Sequence, residues 1–414
     1  MKCLKKHSVL VVVLLLLLCF SLPLTAEETE EASDWTIKEY DEKSYTAMKE
    51  AMDVYDPLAP EAPGLLAQAA VLMDAKTGQI LYELEADTQR YPASLTKLLT
   101  LVVTLDAVNE GKVTFEDEVV FSEAAVTQES SFLKLQPGAT DNLRHCIEMM
   151  MVFSANDAAY AIAEHVGGSV EHFAALMNET AKALGMTASN FVNPNGLPDP
   201  NHYSTARDFA VLSRYCTTRD DVMKFVSLEK VTLANGKEIY NTNKLLFWTE
   251  GADGLKTGRT LDAGHCLAAT AERNGMRLIS VTLGSPEDYT HYIDGMKLLE
   301  YGFANFTLEK VVAKGDIFGK VKVLYGREDE MEVEAAEDIF YTVKNGESLS
   351  PVVTPTLAES VEGPAPAGID GGDVVITLNG EEIGRCDLVT SEEIRKRNVF
   401  QWLADFFKAL IQSI

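Results

Sequence analysis

Ser94 and Lys97, in "SLTK", stand three residues apart at the head of an apolar run that carries Leu95, Leu98, Leu99, Val102, Val103 and Leu105. At i and i+3 of a helix two side chains share one face. A serine hydroxyl is a weak nucleophile until a base takes its proton. A lysine can be that base only if burial or a second cation lowers its pKa. The start of a buried helix offers such a place, and its free N–H groups can hold an oxyanion. Alone the pattern is weak, since a chain of this size holds about one or two copies by chance. "SLEK", Ser227 to Lys230, is a second copy. It runs into "VTLANGKEIY", which reads as strand and turn, so no chemistry is assigned to it.

Two further stretches carry suitable groups. In "MMMVFSANDAAYAIAEHV", Ser154 and Asn156 lie between two helical runs. From such a turn both can face one cleft, Ser154 to relay a proton and Asn156 to hold an amide carbonyl or a lysine ammonium. Alone, this stretch is an ordinary helix cap. The tripeptide Lys-Thr-Gly occurs twice, as Lys76-Thr77-Gly78 and as Lys256-Thr257-Gly258. The first copy separates the apolar runs of "AAVLMDAKTGQILYEL", a β-hairpin whose turn needs Gly78 and leaves Lys76 solvated.

The elements that must position these residues are legible as patterns. A buried helix follows Ser94, and helices are expected from Leu143 to Val166, broken near Ser154, and from Val170 to Leu184. "NPNGLPDPNHYSTARDFAVLSRYC" is a Pro/Gly/Asn loop entering a helix capped by Ser204 or Thr205. "HCLAATAERNGMRLISVTLG" is a hairpin turning at Asn274-Gly275, and "EDYTHYIDGMKLLEYGF" is a closing amphipathic helix. Strands, then helices, then strands describe an α+β domain over residues 64–303. From 304 to 390 the apolar alternation of "GKVKVLYG" and "DVVITLNGEEIGRCDLV" describes a small all-β domain with a turn at Asn379-Gly380. Residues 391–414 close with "VFQWLADFFKALIQSI". There Val399, Leu403, Phe406, Phe407, Leu410 and Ile414 fall on one face, as in a helix lying in a membrane interface. A helix docked on its own protein or on a partner subunit is the alternative.

Taken together and in order, Ser94-x-x-Lys97, Ser154-x-Asn156 and Lys256-Thr257-Gly258 resemble the signature of the penicillin-recognising serine enzymes. The flanks "YPASLTKLLT", "FSANDAA", "NPNGLPDPNHYSTARDFA" and "DGLKTGRTLDAGHCLAAT" narrow the resemblance to the D-alanyl-D-alanine carboxypeptidases, the low-molecular-weight penicillin-binding proteins. It runs from about Leu65 to Phe303, and the β domain and terminal helix match the family layout. It implies a β-lactamase-like fold, an antiparallel sheet with helices. It also implies removal of the terminal D-alanine from a peptidoglycan stem peptide. Ser94 would then be the nucleophile, neutral Lys97 the base, Ser154 the proton relay and Asn156 the positioner of the substrate amide and of Lys97. Lys256 and Thr257 would hold the terminal carboxylate on an edge strand where Gly258 leaves room for a ligand backbone. The oxyanion would sit between the N–H groups of Ser94 and Arg259, and Arg259 is a second candidate cation for the carboxylate. A β-lactam would leave a long-lived acyl-Ser94. The earlier Lys-Thr-Gly precedes the nucleophile and remains a turn. Ala155 departs from the family, where glycine or aspartate is usual. A class A β-lactamase is the rival, but no Glu-x-x-Leu-Asn pentapeptide is found. A non-hydrolytic cell-wall binding protein on the same fold is the other.

The chain begins with Lys2, Lys5 and Lys6, an apolar run from Val9 to Phe20 and Leu24-Thr25-Ala26, the pattern of a signal peptide over residues 1–26. Export to the outer face of the cytoplasmic membrane follows, with peripheral anchoring by the C-terminal helix. Residues 27–63 are an acidic leader or linker. A formal net charge of −27 argues against nucleic acid as a partner. With no Cys-x-x-Cys and no His-Glu-x-x-His, neither a metal nor a cofactor is expected. Cys146, Cys216, Cys266 and Cys386 read as buried, unpaired thiols.

Overall fold

A computed structural model describes residues 63–412 apart from 234, 235 and 349. The expected signal peptide and all but the last residue of the acidic leader lie outside the described residues.

The sheet of the α+β domain has five antiparallel strands: β1 (Ala69–Asp74), β2 (Ile80–Leu84), β3 (Ala252–Thr260), β4 (Gly264–Arg273) and β5 (Met276–Ser285), in the order β2-β1-β5-β4-β3. The Lys256-Thr257-Gly258 strand is therefore an edge. Side chains alternate between faces with period two, and in β1 both faces are covered. Ala69, Val71 and Met73 enter the core shared with the helices on one side, and Ala70 and Leu72 enter the core on the other. That is why the strand reads as one unbroken apolar run. The turn Asn274-Gly275 has φ of 52° and 79°, as a two-residue hairpin requires.

On the first face lie α1 (Thr96–Asn109), α2 (Leu143–Val152), α3 (Asn156–Gly167), α4 (Val170–Leu184), α5 (Ala206–Thr217) and α6 (Asp220–Val226). Helix α1 is buried nearly all round, threonines included, so its apolar residues show no single stripe. Thr205 caps α5 by accepting from the Asp208 N–H. On the second face lies α7 (Thr290–Asn305), which approaches the sheet closely because a Cβ at Gly302 would lie 2.4 Å from Leu278.

Beyond α7 the chain is all β. Strands β6 (Phe306–Val312), β7 (Ile317–Leu324), β8 (Glu330–Ala335), β9 (Ile339–Lys344), β10 (Val352–Leu357), β11 (Ser360–Glu362), β12 (Asp370–Leu378) and β13 (Glu381–Thr390) form two sheets. One is the six-stranded β10-β12-β13-β8-β7-β11, the other the pair β6-β9. The chain stays with this domain past Thr390, for Ile394 is buried in its core and pairs with Ala365. Helix α8 (Val399–Gln412) follows, and among the described residues no helix is long and apolar enough to cross a membrane.

The first Lys-Thr-Gly turn contacts this β domain. Lys76 stands 3.7 Å over the Phe340 ring, and Gln79 exchanges two hydrogen bonds with the Thr342 backbone. Lys76 is exposed as expected, and its ammonium rests on a ring of the β domain.

Candidate active site

Ser94 lies in a single 3₁₀ turn, Ala93–Leu95, that feeds directly into α1. Ala93 takes a φ of +48°, an uncommon value for a residue with a Cβ. Three residues after Ser94, in the first turn of α1, Lys97 is fully buried. Its Nζ lies 2.7 Å from Ser94 Oγ, 2.6 Å from Asn156 Oδ1 and 2.8 Å from the Asn195 carbonyl oxygen. None of these is a carboxylate. Burial, then the nearby Lys256 ammonium, drive the Lys97 pKa well below that of free lysine, against a weaker pull from Asp157. A neutral amine has two N–H donors and one lone pair. Two of its three neighbours are obligate acceptors, and the third is a hydroxyl that can donate. The three contacts therefore match a neutral Lys97 that accepts the Ser94 proton.

Asn156 opens α3 and is bound at both ends, its Nδ2 donating to the Glu129 carbonyl at 2.6 Å. Ser154 precedes it on the α2–α3 turn with φ of +69°. Its hydroxyl has no hydrogen-bond partner among the described residues. The expected relay is thus on the same turn as Asn156 but is not linked to Lys97.

Lys256, Thr257, Gly258 and Arg259 follow one another on edge strand β3. Lys256 is 1 % exposed, and burial lowers its pKa to about 7. Among the described residues its Nζ donates only to the Thr257 carbonyl, at 3.0 Å. Thr257 shares a hydrogen bond with Thr242, Oγ1 to Oγ1 at 2.9 Å. A Cβ on Gly258 would stand 2.8 Å from the Ser94 nitrogen and 3.1 Å from Ala93 Cβ. The absent side chain leaves room for the Ser94 turn, and that contact brings the third motif to the first. Arg259 is exposed, opposite His265 on β4, with no hydrogen bond or ion pair to a described residue.

Three residues of the site were not singled out by type or spacing. Asn195 supplies the carbonyl that holds Lys97, and its Nδ2 donates to Gln128 Oε1 at 2.9 Å. Its placement depends on Gly196, at φ +85°, where a Cβ would overlap the Ala93 carbonyl oxygen at 1.8 Å. Asp157 is fully buried and accepts from Ser131 Oγ and the Leu133 N–H, both at 2.7 Å, fixing the loop beside the cleft. His202 accepts the Val192 N–H on Nδ1 at 3.2 Å, so its Nε2 donates to Thr96 Oγ1 at 2.8 Å. Burial lowers its pKa to about 4 and keeps it neutral. The one signal in the sequence was "NPNG", where a glycine after asparagine marks a forced turn. The four cysteines are buried and unpaired, as expected, and among the described residues no cluster fits a metal ion.

Comparison with known proteins points to one family. The D-alanyl-D-alanine carboxypeptidase profile fits residues 56–287, and that of the penicillin-binding protein 5 C-terminal domain fits residues 306–396. The chain is 30% identical to a D-alanyl-D-alanine carboxypeptidase of Bacillus subtilis over 342 residues, 81% of this chain and 88% of that protein. It is 33% identical to one of Haemophilus influenzae over 359 residues, 85% of this chain and 91% of that protein. Among solved structures, penicillin binding protein 5 from Haemophilus influenzae superposes with a TM-score of 0.70 at 34% identity, covering 81% of this chain and 99% of that one. Penicillin-binding protein D2 from Listeria monocytogenes, in its ampicillin-bound form, covers 59% of this chain and 100% of that one at a TM-score of 0.55 and 34% identity. On these matches this chain belongs to the D-alanyl-D-alanine carboxypeptidase family of serine peptidases.

Proposed function

We propose that Ser94 attacks the carbonyl between the two terminal D-alanines of a peptidoglycan stem peptide, passing its proton to neutral Lys97. The C–N bond breaks, D-alanine leaves with a proton relayed through Lys97 and Ser154, and water hydrolyses the acyl-Ser94 ester. Lys256 and Thr257 hold the terminal carboxylate, with Arg259 as a second cation at the strand's open side. The Ser94 and Arg259 N–H groups receive the oxyanion. The observation that carries this reading is Lys97 within hydrogen-bond distance of Ser94 Oγ and two carbonyl oxygens, without a carboxylate. A β-lactam presents the same carbonyl and carboxylate and acylates the same serine.

The setting we propose is the outer face of the cytoplasmic membrane, reached through a signal peptide cut after Ala26. Helix α8 is amphipathic and lies in the interface. Exposure of Val399, Phe400, Trp402, Leu403, Phe407 and Ile411 supports this reading.

Intact mass after incubation with penicillin, wild type beside Ser94→Ala, tests the chemistry. A slowly lost adduct on wild type alone, with D-alanine released from a stem peptide, is the expected result. Rapid loss of the drug without an adduct would make the protein a β-lactamase. An intact drug and no adduct would make it a non-hydrolytic binder.

A further inference from the structure

One residue outside the three motifs is bonded to two of them. Thr242 is half-buried and belongs to residues 241–244, which lie in the chain between α6 and β3. Its Oγ1 stands 2.9 Å from Thr257 Oγ1. Its N–H donates at 3.0 Å to the Val152 carbonyl, a last-turn acceptor of α2 two residues before Ser154. Its carbonyl accepts at 2.5 Å from Tyr292 Oη, on the first turn of α7. Tyr292 is buried, edge-on to the Trp248 ring at 5.6 Å. On either side, Asn241 Nδ2 donates to the Leu228 carbonyl at 2.8 Å, and Asn243 Oδ1 accepts the Leu245 N–H at 3.2 Å. The Thr242 backbone is thus fixed from α2, from α7 and through both chain neighbours, with its hydroxyl against β3.

A hydroxyl carries one proton and can accept as well as donate. Between two hydroxyls at 2.9 Å only one proton can lie. Among the described residues neither Oγ1 has another hydrogen-bond partner. In one arrangement Thr257 donates to Thr242, and its proton is turned away from a ligand. In the other Thr242 donates to Thr257, and the Thr257 proton is left for an acceptor outside. A carboxylate accepts and cannot donate, so a carboxylate at Thr257 selects the second arrangement. Each bond in such a row polarises the next, and a row that ends on a charge is the stronger for it.

We propose that Thr242 is a positioning residue for substrate binding: its hydroxyl donates to Thr257 Oγ1 and directs the Thr257 proton onto the terminal carboxylate of the substrate. Thr242 acts through Thr257 and touches no reacting atom. This rests on the carboxypeptidase reading above and adds to it the residue that sets the direction of its carboxylate donor.

The test uses the full-length protein and two peptides, one ending in D-alanyl-D-alanine and one with that terminal carboxylate amidated. Release of D-alanine or of D-alaninamide gives kcat/KM for each. The quantity compared is the ratio of the two, which an unfolded fraction leaves unchanged. An amide can donate as well as accept, so it is served by either arrangement of the two hydroxyls. Thr242→Val and Thr242→Ala both remove the hydroxyl, the first keeping the side-chain volume. Each is expected to lower the carboxylate-to-amide ratio by about threefold to tenfold, the worth of one hydrogen bond. Thr242→Ser, which keeps the hydroxyl, is expected to restore the wild-type ratio. A purely structural role for Thr242 would slow both peptides in proportion. A wild-type ratio in Thr242→Val or Thr242→Ala, or the same loss in Thr242→Ser, would overturn the assignment while leaving the carboxypeptidase reading intact. Equal wild-type rates for the two peptides would do the same. No D-alanine from the wild type would overturn both.

Discussion

Lys256 predicts a divergence between two pH profiles. Its ammonium is buried with one carbonyl acceptor, and burial lowers its pKa to about 7. Below that pH it is charged and ready for a substrate carboxylate; above it the free enzyme loses the charge. At one pH unit above the pKa about one molecule in eleven retains the proton, so kcat/KM should fall by about tenfold per unit beyond pH 7. Once bound, the substrate carboxylate favours the ammonium and raises the pKa by about one to three units. The kcat profile should therefore stay flat to a correspondingly higher pH, with KM absorbing the change. On the acid side, Lys97 must be neutral to accept the Ser94 proton. Its lowered pKa means activity rises with pH through a value well below that of free lysine. The assay is steady-state D-alanine release between pH 5 and about 10. Lys256→Arg is the control, because a guanidinium stays charged throughout and should remove the alkaline limb whatever its absolute rate. A kcat/KM that stays flat to the top of that range, or an identical limb in Lys256→Arg, would refute the assignment of that limb to Lys256.

Three further substitutions probe the packing around Ser94. Gly258→Ala sets a Cβ against the Ser94 nitrogen and should lower kcat at least about tenfold by displacing an oxyanion donor, read as the rate of penicillin acylation. Gly196→Ala forces a Cβ onto the Ala93 carbonyl at a left-handed φ. Strain of about 1–3 kcal/mol at that backbone, before the overlap, should lower the melting temperature by several degrees along with acylation. Lys76→Ala should leave acylation unchanged while losing about 0.5–1 kcal/mol of contact with Phe340, seen as faster proteolysis between the domains.

The candidate catalytic groups were legible because the chemistry proposed for them restricts residue type. A nucleophile with its base, an amide and a carboxylate-binding lysine leave letters in the text, and their order distinguishes Lys256 from Lys76. Hairpins at Asn274-Gly275 and Asn379-Gly380 were legible because positive φ restricts residue choice. Asn195 was not, because it acts on Lys97 through a backbone carbonyl, which every residue possesses. Asp157 resembled a first-turn helix acid, and only the fold brings Ser131 and Leu133 to it.

The sequence by itself determined which side chains are candidates for the chemistry, which segments pair as hairpins and where the α+β domain yields to an all-β one. These follow from local rules of residue type, period two or 3.6, and turn geometry. Only the tertiary structure decided how the parts meet. Whether Gly258 makes room for a ligand or for the Ser94 turn depends on a contact between segments 164 residues apart in the chain. The Lys97 pKa is lowered by burial and by Lys256, and it is the fold that buries Lys97 and brings Lys256, Asn156 and Asn195 to it from separate elements. A pKa is set by what surrounds a group in space, and no window along the chain contains that neighbourhood.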